Sequence, residues 1–583
     1  MEKVENCARI VNNGPVVIHC INEEGIEARK SQQRGPDSVP CRFQEVERMP
    51  DGSELEIKLA ISDNRLFDLI KSDPEITALA QGARPVDRVF EALYYDTPQF
   101  SLQQNGLAFR VRHEDEDWVA TVKSDLKTGG GLFEREEWNE NVSGPEPSRT
   151  PFEGTNVGDR LAKVIGLEKL QLLFSTRFVR TVVQLQTDSG TQIEMALDRG
   201  TIWSGIDGTP ISELELELKS GSVNELLQLA AKISARWHLL PEIKSKFARG
   251  LELLQTTSPN LPDSLQKVLP ENAEPTPIEL VNSCIADLFI FQDRILRNNA
   301  IPENIRGLRI QCRRLRSILK FCQPALSKDT VQPHINHLRQ WGGVLGSIRD
   351  IDVLINSWEK FAIHFSLVYS PSGHWQDILR ERRDFLTEDV LFRIRQGELT
   401  QLLFELQGLA YQAQERKFPI EEELSFGLIA HKSFIQTIKE LRDDIRAVDG
   451  ITDIKALHQF RIRCKQLRYI QEALNGYSRY RDEEFAAEIK KIQSHIGKIH
   501  DTYQIKSIFD QFDACSIDEK FLLEKELFVS WRNRDTIEYF FALPKAVDAF
   551  RRSAKLRLRT LAAMRTNRRT KSSQNTGPHE PIK

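Results

Sequence analysis

The sequence predicts two unlike halves: an α+β N-terminal half whose strands close into a barrel, and an all-α C-terminal half built as a duplicated helical bundle. Three observations carry this. Ionic residues alternate with apolar ones on strand after strand before residue 255. A proline-rich break, "QTTSPNLPDSLQKVLPENAEPTP", occupies residues 255–277. After it, helical periodicity takes over and one basic motif occurs twice.

The chain has 583 residues, long enough for two to four domains that each bury a core. Apolar residues make up 40% and charged residues 28%, as in ordinary globular proteins. No uninterrupted apolar run approaches the roughly 18 residues needed to span a bilayer, and a secretory apolar core is absent from the N-terminal segment. Eight scattered cysteines (7, 20, 41, 284, 312, 322, 464 and 515) form no CxxC pair and no Cys/His zinc spacing. Free thiols in a reduced cytoplasm are expected. The formal net charge of −4 conceals an asymmetry. Residues 1–250 hold 30 basic and 40 acidic side chains, and residues 251–583 hold 50 and 44.

Residues 1–48 lack sustained periodicity, and Met49 lies just upstream of the first convincing strand. The expectation is an unassigned extension, with Met49 as the native start or the segment as a loose appendage. Strands are then expected at 54–61, 106–112, 117–124, 177–187, 191–200 and 212–221, with helices near 155–166 and 222–237. The break, taken as 256–276, reads as a linker. Residues 277–560 form the helical half, and 561–583 a basic tail expected to be disordered.

On a strand, residues two apart share a face. That places Glu54, Glu56 and Lys58 together, as it does Glu213, Glu215 and Glu217 with Leu214, Leu216 and Leu218 opposite. Either strand alone reads as a solvated acidic face. The basic strands change the balance: Arg110 and Arg112 share a face, Arg135 pairs in spacing with Glu137, and Glu194 with Asp198. Lys123, Arg180 and Lys246 lie mid-motif. Ionic doublets on so many strands suit a closed barrel with an ionic interior. Unpaired carboxylates there would each cost several kcal/mol, so cations and a polyanion are expected inside. An all-oxygen donor set favours Mg²⁺ or Mn²⁺ over zinc, and arginine suits phosphate oxygens.

At these residues the first half resembles a CYTH domain of the triphosphate tunnel metalloenzyme superfamily. The marks are Glu54-Leu-Glu56-Ile-Lys58 (the ExExK signature), "YYDTP" (94–98), "GLAFRVR", "TVKS", "REEW", "LFSTRFVRT" (173–181), "ELELELKSG" and "SKFARG" (245–250). The resemblance covers 49–255 and implies an eight-stranded antiparallel tunnel that binds triphosphate with a divalent metal. It assigns Glu54, Glu56, Glu215 and Glu217 to the metal, and Lys58, Arg110, Arg112, Lys123, Arg135, Arg180 and Lys246 to the phosphates. Glu54, Glu56 and Lys58 are the expected catalytic group. Glu213, Glu137, Glu194 and Asp198 are further inward candidates. Arg177 is left out, because relatives often have an acidic residue there.

In the second half, "ENIRGLRIQCRRLRSILKF" (303–321) aligns with "KALHQFRIRCKQLRYIQEA" (455–473) at an offset of 152. "LGSIRDIDVL" (345–354) aligns with "IGKIHDTYQI" (496–505) at 151. On a helix, His458, Arg461, Lys465 and Arg468 fall within an arc of about 80° over about 15 Å, and Arg306, Arg309, Arg313 and Arg316 repeat the row. Leu457, Phe460, Cys464, Leu467 and Ile470 take the core side. Neither row contains an acidic partner, which suits a linear polyanion better than a solvated face. These residues resemble the HxxRxxxRRLR pattern of the CHAD domain, an α-helical module associated with polyphosphate, with Arg306 standing at the histidine position of the first copy.

The two resemblances together imply an inorganic triphosphatase of bacterial CYTH–CHAD type. It would hydrolyse tripolyphosphate to pyrophosphate and phosphate with Mg²⁺ or Mn²⁺, while CHAD binds long-chain polyphosphate. The expected location is cytoplasmic, with polyphosphate granules as an association and no membrane partner. Adenylate cyclisation and hydrolysis of a nucleoside or thiamine triphosphate are alternatives in the same tunnel, and a non-catalytic polyphosphate scaffold is another. Few aromatic residues interleave the arginine rows, so nucleic acid is not the expected partner.

Overall fold

The computed structural model describes residues 53–124, 127–129, 131–257, 274–297, 300–367, 374–415, 426–447, 454–510 and 519–574. The extension 1–48, linker residues 258–273 and the last nine residues lie outside the described residues.

Ten strands follow in chain order: β1 (Ser53–Ala60), β2 (Val86–Asp96), β3 (Leu107–Glu114), β4 (Asp117–Ser124), β5 (Lys127–Gly129), β6 (Leu132–Val142), β7 (Gln171–Gln186), β8 (Gln192–Ser204), β9 (Asp207–Ser220) and β10 (Leu240–Pro241). Eight of them form a closed antiparallel barrel, running β1-β9-β8-β7-β2-β3-β4-β6 and back to β1. Closure satisfies every edge. The short β5 and β10 pair with β6 and with the end of β1.

The barrel is apolar outside and ionic inside. Leu55, Ile57 and Leu59 of β1 and Leu214, Leu216 and Leu218 of β9 are buried on the outer face, and so are Ile193, Met195 and Leu197 of β8. Their intervening neighbours point inward. Strand alternation thus does two jobs at once, and the outer apolar face needs cover. Helix Val223–Trp237 supplies part of it with Leu226, Leu227, Ala230 and Ile233. Helix Lys246–Thr257 packs across β7, β8 and β9, setting Phe247 and Leu251 against Tyr94, Phe174 and Phe178.

The strands expected from alternation are all present, most of them longer. β2 was not expected, because Phe90, Ala92 and Tyr94 are buried on one face while Leu93 and Tyr95 pack against another cluster. Its C-terminal end is thus covered on both sides, while Val86, Asp87, Arg88 and Val89 at its start are exposed, and the period of two is lost along it. The "YYDTP" motif serves this fold: Asp96 is fully buried and accepts hydrogen bonds from the backbone N–H groups of Thr97 (2.7 Å), Leu102 (2.8 Å) and Gln103 (2.9 Å).

The second half is helical throughout its described residues. Helices Pro302–Phe321 and Ile454–Leu474, the two copies of the basic motif, pack against each other. Leu457, Phe460, Cys464, Leu467 and Ile470 are buried, as the spacing requires, and Leu308, Cys312 and Leu315 match them in the first copy. The last helix runs Glu519–Gln574. It therefore continues past residue 560, where the sequence placed the start of a disordered tail. Helix Glu398–Glu415 lies against Val223–Trp237, and one apolar core runs from the barrel's outer face into the helical half.

Candidate functional site

All eleven expected tunnel residues line one cavity of about 510 Å³ inside the barrel: Glu54, Glu56, Lys58, Arg110, Arg112, Lys123, Arg135, Arg180, Glu215, Glu217 and Lys246. Glu137 and Glu194 line it too. Asp198 and Glu213, fully buried, sit behind the lining and hold its lysines and arginines. Arg177 points out to solvent and pairs with Glu91 at 3.0 Å.

Three ion clusters organise the wall. In the first, Lys58 donates to Glu56 at 2.8 Å and to Glu215, while Arg135 stands 3.8 Å from Glu56. In the second, Lys123 bridges Glu54 (2.7 Å) and Glu137 (2.6 Å), and Arg110 approaches Glu137 at 3.4 Å. In the third, Arg180 makes a two-pronged contact with Asp198 at 2.7 and 2.6 Å and reaches Glu215. Lys246 joins this cluster through Asp198 (2.7 Å), Glu215 (2.9 Å) and Glu213.

These contacts correct one expectation. The inward carboxylates are not left unpaired, because interior lysines and arginines neutralise them. Among the described residues, ten lysine and arginine side chains line the cavity against seven glutamates, so the excess is cationic. Among the described residues, Asp198, Glu213 and Glu215 form a group of three carboxylates within ligand distance of one another, and the Lys246 ammonium contacts all three.

The electrostatics follow from burial set against pairing. Burial disfavours the charge on Lys58, yet Glu215 and Glu56 outweigh it and hold the ammonium above the usual lysine range. Lys123 and Lys246 are raised in the same way by their carboxylates. Burial pushes Arg112 down to about 10, with Arg110 and Arg180 adding to it against Glu114. For Glu56 burial acts upward, but Lys58, Lys123 and Arg135 bring it below the usual carboxylate range. Burial pushes Glu54 up to about 7 against the pull of Lys123, helped by Glu56 and by a hydrogen bond shared with Glu137.

A divalent cation fits this donor set. The ligand atoms available are carboxylate oxygens, Glu54 and Glu137 converge on the one Lys123 ammonium at 2.7 and 2.6 Å, and Glu56 Oε1 is buried without a hydrogen-bond partner.

The cavity also holds residues that motif reading missed: Arg84, Arg88, Glu114, Asn139 and Lys219. Arg88 lies opposite Arg180 on the neighbouring strand, and Lys219 continues the two-residue spacing of Glu213, Glu215 and Glu217. For Lys219 that spacing was available in the sequence. Four aromatic rings, Phe90, Tyr94, Phe178 and Phe247, complete the wall. Cationic heads lie over two of them: Arg112 is 4.9 Å from the Phe90 centroid, and Lys246 is 5.0 Å from that of Phe178.

In the helical half, Arg309, Arg313 and Arg316 on one helix and His458, Arg461, Lys465 and Arg468 on the other are partly exposed, and Arg306 is exposed. The two rows meet. Burial lowers His458, and Arg461, Lys465 and Arg313 of the other copy add to the shift. Burial likewise pushes Arg309 down to about 10, with Arg313 and Arg461 contributing. Gly342 and Gly346 of helix Lys328–Phe365 lie beneath the guanidinium groups: a Cβ at Gly346 would stand 3.2 Å from Arg309 Nη2, and one at Gly342 3.8 Å from Arg316 Nη1. The sequence led to the expectation of rows without acidic partners, and the structure corrects it. Asp350 lies 3.6 Å from Arg309, reached through tertiary packing, and Glu472 lies 3.4 Å from Arg468 one turn beyond the motif.

Comparison with known proteins divides the chain at the same place. Residues 52–251 match the CYTH domain family model and residues 279–507 the CHAD domain model. An inorganic triphosphatase of Haemophilus influenzae is 32% identical over 200 residues, covering 34% of this chain and 54% of that protein, so the match spans about half of its length. An uncharacterized Mycobacterium tuberculosis protein is 24% identical over 475 residues, 75% of this chain and 86% of that one. Among solved structures, a Hippeastrum adenylyl cyclase described as having a dominant triphosphatase activity matches at 22% identity, over 34% of this chain and 95% of its own (TM-score 0.27). The CHAD domain of Ricinus communis matches at 18% identity, over 50% of this chain and 95% of its own (TM-score 0.36). Among the described residues, no helix is long and apolar enough to cross a membrane.

Proposed function

For this chain, which joins a CYTH domain to a CHAD domain, we propose a metal-dependent inorganic triphosphatase that hydrolyses tripolyphosphate to pyrophosphate and phosphate. The observation that carries it is the tunnel itself: one closed barrel whose cavity concentrates ten lysine and arginine side chains and seven glutamates. Such a wall is complementary to a short, highly charged anion that carries charge along its whole length.

Arg110, Arg112, Arg135 and Arg180 offer paired N–H groups to phosphate oxygens, and Lys58, Lys123 and Lys246 offer point charges. Their heads are already held by carboxylates, Arg112 by Glu114 and the others by Glu56, Glu137, Glu215 and Asp198, so little side-chain entropy is lost when substrate arrives. Glu54, Glu56, Glu215 and Glu217 are the residues we assign to Mg²⁺ or Mn²⁺. When bound, the ion would neutralise phosphate charge and polarise the attacking water. Lys58, between Glu56 and Glu215, keeps both carboxylates ionised and oriented.

The aromatic wall favours an inorganic substrate over a nucleotide or thiamine ester. Phe90, Tyr94 and Phe178 are buried, and guanidinium and ammonium groups occupy ring faces that would otherwise stack a base. In the helical half, the two facing basic rows would hold long-chain polyphosphate, which fits a cytoplasmic protein associated with polyphosphate deposits.

The test is phosphate release from tripolyphosphate, ATP and thiamine triphosphate, with Mg²⁺ or Mn²⁺, for wild type and Glu56→Ala. Metal-dependent release from tripolyphosphate that is lost in the variant supports the reading. Preference for ATP or thiamine triphosphate overturns the substrate assignment, and no turnover with polyphosphate still bound makes the protein a scaffold.

A further inference from the structure

The tunnel's closing seam is covered from outside by the helical half. β1 and β6 complete the barrel by pairing from Ser53 with Glu136 to Ile57 with Leu132. Beyond Ile57 the ladder loosens: the Lys58 N–H donates to Gly131 O at 3.4 Å, and β1 passes on to β10. Gly131, which leads into β6, has φ +81°, and a Cβ there would stand 3.2 Å from Pro241 Cβ and 3.6 Å from Phe404 Cζ. The glycine thus admits a close approach as well as a left-handed turn.

Phe404 belongs to helix Glu398–Glu415 of the helical half and is fully buried. Its ring lies 5.5 Å from that of Phe289, centroid to centroid, and it shares one core with Leu55, Ile57, Leu59 and Leu132. By strand alternation those four residues are the outer backs of Glu56, Lys58 and Phe133, and Arg135 follows two residues after Phe133. The helix and the turn leading into it are held against the barrel side at three more points. Gly397 and Gly408 bring it close to Ser234 and Asn224, where a Cβ would meet backbone or amide oxygen at 2.9 and 2.6 Å. His238 Nδ1 lies 3.0 Å from Gln396 O.

We propose that Phe404 is a positioning residue for the tunnel: pressed on the β1–β6 seam from the helical half, it holds Glu56, Lys58 and Arg135 in their working arrangement. The consequence for turnover rests on the triphosphatase reading above, while the clamp on the seam does not. A closed barrel tolerates no local slack, because a shift of one strand at the seam displaces the whole inward row it carries. Displacements of about 1 Å in a catalytic row cost on the order of 100-fold in rate.

The experiment uses the full chain, with Phe404→Ala, Phe404→Leu and Gly131→Ala compared with Phe434→Ala. Phe434 is an equally buried phenylalanine that packs against Tyr480, in the second copy. Two readouts are taken below the unfolding temperature: kcat and KM for tripolyphosphate, and hydrogen exchange of backbone amides at 55–58 and 132–136. Phe404→Ala should lower kcat at least tenfold with native helix content and speed exchange at the seam. Phe404→Leu should restore both to within about threefold, and Gly131→Ala should reproduce the defect from the strand side with Phe404 intact. Wild-type seam exchange in Phe404→Ala, or an equal loss of kcat in Phe434→Ala, overturns the proposal. If wild type does not turn over tripolyphosphate, the substrate reading fails and seam exchange alone decides the clamp. If Phe404→Ala does not fold, Phe404→Leu and Gly131→Ala decide by the same readouts.

Discussion

Lys246→Met removes the one ammonium that touches Asp198, Glu213 and Glu215 together, and all four residues are at most 7% exposed. Breaking a buried ion pair from one side costs about 3–5 kcal/mol, because a buried charge is left without its partner. Here each carboxylate retains another cation: Asp198 keeps Arg180 at 2.6 Å, Glu213 keeps Arg249 at 2.7 Å, and Glu215 keeps Arg180 and Lys58. The expected loss therefore lies at the lower end, about 3 kcal/mol at pH 8. It should also depend on pH. Burial raises Glu213, with Glu215 adding to the shift and Lys246 opposing it, so the variant raises it further. A carboxyl whose folded pKa is raised contributes stability below its unfolded value and loses it as pH rises through the folded value. The penalty should thus shrink between pH 8 and pH 5, by about 1.4 kcal/mol for each further tenfold loss of acidity at Glu213. Urea unfolding with a chelator at pH 5, 6.5 and 8, for wild type, Lys246→Met and Lys246→Met/Glu213→Gln, measures this. The double variant should recover at least half of the loss at pH 8. A loss below about 1 kcal/mol, or the same loss at pH 5 and pH 8, would refute the view of Lys246 as the internal counter-ion of this cluster.

Glu54→Gln should make the protein relatively more stable as pH rises. The native carboxyl, pushed by burial to about 7, loses its favourable contribution between about pH 4.5 and 7, worth up to about 3 kcal/mol. Denaturant midpoints of both proteins at pH 5 and pH 8 check it, and a constant difference contradicts it. In the helical half, Arg309→Ala and Arg461→Ala should each weaken long-chain polyphosphate binding and flatten the plot of log K against log salt by somewhat under one per residue, as titrations at several salt concentrations would show. Gly200→Ala should destabilise by about 2 kcal/mol or more in a thermal melt, because its Cβ would collide with the Arg177 carbonyl oxygen and Phe178 Cα across the β7–β8 ladder.

Much of the site was legible because strands leave a strong signature. Glu54, Glu56 and Lys58 could be placed on one face by spacing alone, and so could Arg110 with Arg112 and Glu215 with Glu217. All of them line the tunnel. Arg88 was not found, since its stretch of β2, Val86-Asp87-Arg88-Val89, is exposed and puts an apolar and a charged residue on each face, so no alternation shows. The duplication was likewise readable, and the buried positions of its second copy follow from the 3.6 period.

What the sequence determined by itself, then, is local and periodic: which residues share a strand or helix face, where the chain changes character near residue 255, and that one helical motif occurs twice. Each of these rests on spacing along one element, which backbone geometry sets without reference to anything distant. Only the tertiary structure decided how charges are partnered. That Lys246 sits among Asp198, Glu213 and Glu215, that Asp350 approaches Arg309, and that Phe404 presses on the β1–β6 seam are facts about residues 31 to 273 positions apart. No periodicity records such pairs, because they are selected by the closure of the barrel and by the shared core beneath it.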